Sequence, residues 1–305
     1  MRILVTGATG FIGSTFCRLA LSHSHEIAGL MLPTETPPVH VPASERMQWL
    51  KGTLADLPWS SIERFEPEVC VHFAWIATPG VYLESPENED YLRWSLDLVH
   101  RLRGLGTNHI VGVGTCIEYQ ITNAPLSEAH TPVDPTTLYS RCKNALRETL
   151  EAEARRDGWR FCWGRVFYPY GVGEHPARLC SALIQKLRRG EKLVLKTPHS
   201  TKDYIYIADL AAAILLTVEK RFTGTINWGT GLGISVRQMA DQIAGMLGRP
   251  ELVEEVSPAE KDPLGFVVAD ATRLKQLGWQ PQFTLEQGLN RLQHSLRTPG
   301  IVKPA

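Results

Sequence analysis

The sequence predicts an α/β fold, in which a doubly wound parallel sheet is followed by a smaller mixed α/β lobe. The chain opens with a strand, a glycine-rich turn and a helix, and short apolar runs then alternate with helical patterns. The composition shifts to glycine and proline at 168–176. Strands and helices that alternate in this way form parallel sheets covered on both faces. We expect residues 1–167, joined by 203–228, to form the sheet domain, and 168–305 to form mainly the second lobe.

The composition excludes several classes of protein. Of 305 residues, 43% are hydrophobic, and 32 Lys and Arg balance 32 Asp and Glu. Because nucleic-acid and membrane-surface proteins need a basic face, we expect neither partner. No run reaches the roughly 18 apolar residues of a membrane span, and the N-terminus lacks the apolar core of a signal peptide. The six cysteines form no CxxC pair, so we expect a cytoplasmic protein with reduced thiols and no metal site.

Each predicted element follows from an apolar pattern. Strands are expected where short apolar, β-branched runs occur, and helices where apolar residues recur every three or four positions. In the first domain we expect strands at 3–6, 26–32, 69–75, 109–114 and 160–167, helices at 88–105 and 138–154, and a surface loop at 33–42. Beyond it we expect helices at 177–189, 209–219, 271–277 and 285–296 and after Ser235, an extended segment at 203–207, and a strand at 225–228.

The first turn carries three glycines, Gly7, Gly10 and Gly13, directly after the first predicted strand. In this position the backbone N–H groups and the dipole of the following helix can hold a pyrophosphate. Gly7 would permit the turn, Gly10 would let the phosphates approach, and Gly13 would let helix and strand pack closely. Its place at the end of a first strand favours a dinucleotide site over a simple tight turn. The cofactor-binding residues expected here are Gly7, Thr9, Gly10, Phe11 and Ile12.

A phenol and an ammonium, those of Tyr139 and Lys143, lie four residues apart on one face of the predicted helix 138–154. A phenol has an ordinary pKa near 10 and is a poor base at neutral pH. The neighbouring lysine, and the cation of a bound dinucleotide, would bring the pKa of Tyr139 toward the working range. Thr115 follows the strand 109–114, at a carboxyl strand end where such sheets bind ligands. Each of the three also suits a structural role alone, but their order behind the glycine turn favours catalysis.

Several further motifs accompany these residues along almost the whole chain. They are Gly7–Gly13, Val71–Ala74, the segment 165–171 with sequence RVFYPYG, the segment 202–209 with sequence KDYIYIAD, and Ala269-Asp270 with LGWQP at 277–281. With them the chain resembles an extended short-chain dehydrogenase/reductase, of the NAD-dependent epimerase/dehydratase family that acts on nucleotide sugars.

The resemblance implies a Rossmann-type domain that holds NAD or NADP across the sheet, with Phe73 and Ala74 among its contacts. A nucleoside-diphosphate sugar would bind under the C-terminal lobe. Tyr139 would exchange the proton of the sugar O4, and Lys143 would hold the nicotinamide ribose and tune Tyr139. Thr115 would orient O4, while hydride moves between the sugar C4 and the nicotinamide. The resemblance also implies a homodimer formed through the helix 138–154.

Departures from the family pattern narrow the reaction. Sugar 4,6-dehydratases of this kind carry an Asp-Glu pair after the threonine, because loss of water needs a second acid and base. This chain has Cys116 and Ile117 there, so we do not expect a 4,6-dehydratase. Cys116 with His175, or Glu118, is an additional acid–base candidate. A buried thiol, a loop histidine and an exposed glutamate are the structural alternatives.

The substrate side also varies. Lys202 occupies the place of an arginine that holds a phosphate, and it keeps the charge but loses the bidentate fork. Tyr168 stands where an asparagine is usual, and Arg178 is a further candidate anion contact or a solvated helix residue. These three residues are the predicted substrate contacts, and they leave the nucleotide and the sugar open.

The cofactor choice rests on the second strand. An acid about 20 residues beyond the glycines binds the ribose of NAD, and an arginine favours NADP. The segment 29–33 at the strand end contains neither, and Gly52-Thr53 replaces the usual Gly-Asp after the third strand. Because no basic residue is near, we favour NAD over NADP.

Together these features predict NAD(P)-dependent oxidoreduction at C4 of a nucleoside-diphosphate sugar, in deoxysugar or polysaccharide synthesis. The enzyme would be an epimerase or a 4-ketoreductase, and the residues do not separate the two. A non-catalytic nucleotide-binding regulator on the same fold is the alternative class. The complete set of Thr115, Tyr139 and Lys143 favours the enzyme.

Overall fold

A computed structural model describes residues 1–257 and 259–297 of the chain. Its centre is a sheet of seven parallel strands in the order β10-β6-β5-β4-β1-β2-β3. The strand order reverses between β1 and β4, which is the point where ligands bind at the carboxyl ends of such sheets. The strands are β1 (Arg2–Thr6), β2 (Glu26–Met31), β3 (Met47–Lys51), β4 (Val69–His72), β5 (His109–Thr115), β6 (Arg160–Val166), β7 (Tyr168–Tyr170), β8 (Leu193–Leu195), β9 (Thr201–Tyr206), β10 (Gly224–Trp228), β11 (Gly233–Ser235), β12 (Val253–Glu255) and β13 (Phe266–Val267).

Helices cover both faces of this sheet. They are α1 (Phe11–Ser22), α2 (Trp59–Phe65), α3 (Glu87–Gly104), α4 (Leu138–Asp157), α5 (Leu179–Arg188), α6 (Ile207–Glu219), α7 (Val236–Leu247), α8 (Thr272–Gln276) and α9 (Leu285–Ser295), with short 3-10 helices at Cys116–Glu118 and Pro250–Leu252. The core on one face joins α1 and α6 through residues such as Phe16 and Ile214. The core on the other face joins α3 and α4 through Leu102 and Leu146. The two layers confirm the predicted α/β, doubly wound Rossmann-type fold.

A second, smaller group of strands lies beyond the central sheet. Strand β9 pairs with β7 and β13 in parallel and with β11 in antiparallel orientation, and β8 pairs with β12. The segment 203–228 divides between the two parts. Its first residues belong to β9, whereas α6 packs on α1 and β10 pairs with β6 in the central sheet.

The predicted elements agree with the structure to within a few residues, and the differences have physical causes. The Gly/Pro-rich segment 168–176 contains the short strand β7, because Tyr168 and Tyr170 pair with β9 across the sheet. Apolar periodicity does not identify β7, since its partner is remote in sequence. Helix α2 and strand β3 are short and half-exposed, so their apolar patterns are weak as well. Among the described helices, none is long and apolar enough to cross a membrane.

Candidate active site

The glycine turn links β1 to α1. Gly7 has a positive φ of 64°, and a Cβ there would lie 2.9 Å from the backbone nitrogen of Ala74. A Cβ on Gly13 would lie 2.1 Å from the carbonyl oxygen of Gly7. Gly10 begins α1 with no side-chain cap, so the backbone N–H groups of Phe11 and Ile12 lack helical acceptors. The turn therefore presents free N–H groups at a helix N-terminus, which suits a pyrophosphate.

An acid beside this turn escaped the sequence analysis. The Thr9 hydroxyl donates a hydrogen bond of 2.7 Å to the Glu35 carboxylate, which also accepts one from the Leu32 backbone N–H at 3.0 Å. Glu35 thus folds back from the loop after β2 onto the glycine turn. It lies about 20 residues beyond the glycines, the spacing of a ribose-binding acid. The end of β2 itself carries no acid, and the loop after it brings the Glu35 carboxylate back to the turn.

Two residues after β4 face the turn. The Ala74 backbone N–H donates to the Thr6 hydroxyl at 3.2 Å, and the Phe73 ring lies 5.6 Å from that of Phe16. Thr6 also bonds His72, whose other ring nitrogen lies 2.8 Å from the Ser95 hydroxyl. Burial, with a smaller effect of Lys143, lowers the pKa of His72 to about 3. His72 is therefore neutral, and it holds the ends of β1 and β4 together.

The start of α4 positions the tyrosine and the lysine. Thr137 begins the helix, its hydroxyl accepting a hydrogen bond from the Ser140 backbone N–H. Tyr139 therefore lies in the first turn, and its backbone N–H donates to the Leu83 carbonyl at 2.9 Å. Lys143 follows one turn later on the same face. The helix continues to Gly158, which ends it in a left-handed conformation.

Lys143 reaches from α4 to the central sheet. Its ammonium donates to the carbonyl of Val113 in β5 at 2.7 Å and lies 3.9 Å from the centre of the Trp75 ring. The residue is 2% exposed. Burial lowers the pKa of Lys143 to about 7, with Glu118 opposing the shift. The lysine is thus poised to gain or lose a proton near neutral pH.

Tyr139 lies among aromatic rings. The Tyr82 ring meets it edge-on with centroids 4.9 Å apart, and Lys143 lies 5.9 Å from the ring centroid. Burial raises the pKa of Tyr139, Tyr82, Glu118 and Cys116 raise it further, and Arg178 opposes the shift. Among the protein's own groups, burial therefore outweighs the lowering expected from Lys143. The cause is the aromatic, poorly solvated surroundings of the phenol.

Thr115 and Cys116 follow at the end of β5. Thr115 begins the short helix Cys116–Glu118 and is half-buried. The Cys116 thiol is buried in a small apolar cluster that includes Tyr119 and Phe167. Burial raises the pKa of Cys116 to about 12, and Asp203 and Glu118 add to the effect. The thiol therefore stays protonated at neutral pH, which is unsuited to a base.

Glu118 is fully buried rather than an exposed loop residue. Its carboxylate accepts hydrogen bonds from the Arg165 Nε at 2.7 Å, the Trp163 indole N–H at 3.0 Å and the Thr115 backbone N–H at 2.8 Å. The Arg165 guanidinium also lies 4.1 Å from the Tyr119 ring centre. With these partners, Glu118 holds the turn after β5 against β6.

The segment after β7 leads into α5. Glu174 is buried and accepts a hydrogen bond of 2.8 Å from the Ser181 backbone N–H, in the first turn of α5. This acid, which the sequence pattern does not reveal, ties the loop after β7 to the start of α5, where Arg178 precedes the first turn. His175 accepts a hydrogen bond from the Ala177 backbone N–H. Across the described residues, no hydrogen bond joins His175 to Cys116.

Lys202 and Tyr168 meet on the second sheet. The Lys202 ammonium bonds the Asp262 carboxylate at 2.9 Å and the Leu264 carbonyl, and it lies 5.6 Å from the Tyr168 ring centre. Burial raises the pKa of Tyr168, while hydrogen bonds from Ser200 and Lys202 outweigh burial and lower the pKa of Asp262. Lys202 thus neutralises a carboxylate of this chain, which the sequence pattern did not show.

The geometry therefore gathers the glycine turn, Glu35, Thr115, Tyr139 and Lys143 along one edge of the central sheet. The substrate candidates lie beyond it, on α5 and the second sheet. In the parts of the chain that the structure describes, no group of three or more His, Cys, Asp and Glu side chains is placed to hold a metal ion.

Comparisons with known proteins point to one family. A model of the "NAD dependent epimerase/dehydratase family" matches residues 3–229. A UDP-glucose 4-epimerase from Corynebacterium glutamicum is 28% identical over 93% of this chain and 92% of its own length. The structure of a Thermus thermophilus UDP-glucose 4-epimerase with NAD is 25% identical, with a TM-score of 0.83 over 98% of this chain and all of that chain.

A Bacillus anthracis dTDP-glucose 4,6-dehydratase with NAD has a TM-score of 0.85 over 97% of this chain and 96% of that chain, at 22% identity, and shares the fold. The family model covers most of the chain, including the glycine turn, Thr115, Tyr139 and Lys143. This confirms the resemblance inferred from the motifs. The chain belongs to the NAD dependent epimerase/dehydratase family.

Proposed function

We propose that the chain is an NAD-dependent nucleotide-sugar 4-epimerase in which Thr115, Tyr139 and Lys143 act on the sugar. The observation that carries the proposal is the placement of Lys143. Its ammonium donates to the Val113 carbonyl of β5, and the residue lies one helical turn from Tyr139. Both are at the carboxyl edge of the central sheet, where the glycine turn after β1 suits a pyrophosphate. The similarity to UDP-glucose 4-epimerases over almost the whole length supports epimerisation and makes UDP-glucose the first substrate to test.

The cofactor site fits NAD better than NADP. The close approach of Gly13 to the Gly7 carbonyl leaves space only for backbone at the turn, and Glu35 brings a carboxylate to it. A carboxylate accepts hydrogen bonds from ribose hydroxyls and repels a 2′-phosphate. Phe73 and Ala74 line the same edge. When bound, NAD would accept hydride from the sugar C4 and return it to the opposite face.

The protein's own groups would manage the proton. Tyr139 would take the proton of the sugar O4 during oxidation and return it during reduction. Its raised pKa favours the neutral phenol, so the positive charges of Lys143 and of the nicotinamide ring are needed to stabilise the phenolate. Lys143 would also bond the nicotinamide ribose, and Thr115 would orient O4 by a hydrogen bond.

The diphosphate of the substrate would lie near Arg178. This side chain starts a ten-residue helix, where the dipole also favours anions. Its positive charge lowers the pKa of both Tyr82 and Tyr139, against the larger effect of burial. Lys202 would join the site only by leaving Asp262, so we assign Arg178 the larger share of the phosphate contact, with Tyr168 against the sugar.

We do not assign acid–base roles to Glu118, Cys116 or His175. Glu118 is paired with Arg165, the Cys116 thiol stays protonated, and His175 bonds its own turn. Without a second acid and base beside Thr115, the site supports C4 chemistry rather than loss of water. A 4-ketoreductase would use the same three residues but would consume reduced dinucleotide.

The test is conversion of UDP-glucose to UDP-galactose by the purified protein with NAD, followed by proton NMR. We expect conversion without net consumption of dinucleotide. Stoichiometric oxidation of added NADH or NADPH with a 4-keto sugar, and no interconversion, would show a ketoreductase. A protein that binds dinucleotide but converts no nucleotide sugar would favour the regulatory alternative.

Two architectural expectations remain proposals. The first is the division into a cofactor domain at 1–167, completed by part of 203–228, and a substrate lobe within 168–305. The second is a homodimer formed through α4, whose outward side carries charges such as Arg141, Glu148 and Arg155. Light scattering at two salt concentrations tests the dimer, and a monomer at both would contradict it.

A further inference from the structure

Trp75 covers the lysine of the site. It lies three residues beyond the end of β4, and the Lys143 ammonium is 3.9 Å from the centre of its ring. An ammonium over the face of an indole is attracted by the ring quadrupole, most strongly where water is excluded. Lys143 is 2% exposed. Its ammonium thus has two neighbours that it binds, the Val113 carbonyl and this ring.

A buried asparagine accepts the indole hydrogen bond of Trp75. The indole N–H donates to the Asn88 side-chain oxygen at 2.7 Å. The Asn88 amide nitrogen donates to the carbonyls of Tyr82 and Ser85, at 2.7 and 2.8 Å. Asn88 is fully buried, and its bond to Ser85 is buried, whereas those to Trp75 and Tyr82 are partly buried. The indole hydrogen bond therefore links the ring to the segment that also carries Tyr82, the neighbour of Tyr139.

Any ligand of the Lys143 ammonium would meet the two groups that already bind it. A ligand hydroxyl can bond the Lys143 ammonium only on a side not taken by Val113 or by protein packing. Trp75 is half-exposed. One side-chain hydrogen bond to Asn88 and the rings of Tyr91 and Tyr139, at 5.7 and 6.5 Å, hold it. Of the two groups that bind the ammonium, the backbone of β5 is fixed in the central sheet. The indole is the one that can move.

We propose that Trp75 is a displaceable cap on Lys143, and that its ring competes with the ribose hydroxyls of the dinucleotide for the ammonium. The inference rests on the proposed function, because it takes the ligand of Lys143 to be NAD. Binding of NAD would release the ring from Lys143 and turn it toward the cleft. In the unliganded protein the cap keeps the ammonium in place and excludes water from it.

The test is NAD affinity, measured by isothermal titration calorimetry without any substrate. Because a cation–π contact with a desolvated ammonium must be broken on binding, Trp75→Ala should bind NAD about 5- to 30-fold more tightly than the wild type. Trp75→Phe keeps a weaker ring and should fall between the two. Trp59→Ala is the matched control, since Trp59 lies over Arg101 at 4.2 Å on α2 and outside the site. Its affinity should not change.

A loss of NAD affinity in Trp75→Ala, or no change, would overturn the cap, because a merely structural tryptophan cannot strengthen binding when it is removed. If Trp75→Ala does not fold, the difference in tryptophan emission between wild type and Trp75→Phe decides. That difference should change as NAD saturates the protein, and a constant difference would overturn the proposal. A wild type that binds no dinucleotide would overturn the proposed function as well, which separates the two failures.

Discussion

Two cationic side chains of this protein are equally buried but differ in their partners and in the direction of their pKa shifts. Arg165 and Lys143 are each 2% exposed, and both lie beside strand β5. Arg165 has a full ionic partner in Glu118 at 2.7 Å. Among the described residues Lys143 has no carboxylate within ion-pair distance, only a carbonyl and an aromatic ring. The pKa of the arginine is raised because Glu118 and Tyr119 outweigh burial, whereas burial lowers that of the lysine to about 7.

One edge of the sheet therefore carries both a cation with complete partners, Arg165, and a cation with incomplete partners, Lys143. A buried charge with complete partners is strongly held and titrates far from neutral pH. A buried charge with incomplete partners is costly for folding and remains available to a ligand. Glu118 and Arg165 therefore fix the turn that carries Thr115. Lys143 keeps the unsatisfied capacity that a cofactor would use.

The largest effect is expected from breaking the satisfied pair. Glu118→Gln removes the charge that balances Arg165 and should lower the free energy of unfolding by about 3–5 kcal/mol. Urea denaturation measures this change. The double variant Glu118→Gln with Arg165→Met should be more stable than Glu118→Gln alone, because it leaves no unpaired buried charge. A single variant within about 1 kcal/mol of the wild type would contradict the structural role of the pair.

Substitution of Tyr139, which lies beside Lys143, should change activity rather than stability. Tyr139→Phe removes only the phenolic hydroxyl and should lower turnover by at least about 100-fold, the size of an acid–base contribution. NAD affinity should stay nearly unchanged. Tyr82→Phe is the matched control, since the two rings pack edge-to-edge, and it should retain most activity. Equal turnover in Tyr139→Phe and wild type would disprove the catalytic assignment.

The cofactor side of the edge can be tested through Glu35. Glu35→Gln keeps the shape of the side chain but loses its charge, so NAD affinity should fall about 10-fold, as for a lost hydrogen bond to a charged acceptor. Discrimination against NADP should fall as well, because the 2′-phosphate is no longer repelled. Calorimetric titration with both dinucleotides measures the ratio. An unchanged ratio would remove Glu35 from the cofactor site.

The smallest effect on stability, and the most direct contrast with Arg165, is expected from Lys143→Met. The folded-state pKa of Lys143, about 7, lies below the unfolded value near 10.4. Between these values the unfolded chain binds more protons, so wild-type stability rises with pH over that window. Below pH 7 the buried charge is destabilising, and Lys143→Met should be more stable by about 1 kcal/mol, although inactive. Its advantage should shrink as the pH rises toward 10. A methionine variant less stable than the wild type at pH 6 would show that Lys143 is a structural cation like Arg165.

The sequence predicts those features that depend on local patterns. The alternation of strands and helices yields the central sheet, and the glycine spacing yields the turn of β1 and α1. Tyr139 and Lys143 follow from their helical spacing. Local patterns do not show which distant side chains come together. Glu35 returns to the glycine turn through a loop, and Asp262 meets Lys202 across the second sheet.

The same limit applies to the surroundings of Tyr139. A lysine one turn from a tyrosine predicts a lowered phenol pKa, because charge is the only neighbour visible in the sequence. Burial among Trp75 and Tyr82 depends on a segment more than 50 residues away, and it reverses the sign. Likewise, a glutamate in a short loop suggests exposure, and only the fold shows that Arg165 and Trp163 enclose it.

In the proposed function, Tyr139 and Lys143 take part in the oxidoreduction of a nucleotide sugar held beside NAD. The most direct measurement mixes the NAD-loaded protein with UDP-glucose and follows the absorbance of the reduced dinucleotide. We expect the absorbance to rise rapidly in the wild type, with UDP-galactose as product, and not to rise in Tyr139→Phe. A wild type that holds NAD but gives neither reduced dinucleotide nor converted sugar with UDP- and dTDP-sugars would rule out this role for Tyr139 and Lys143.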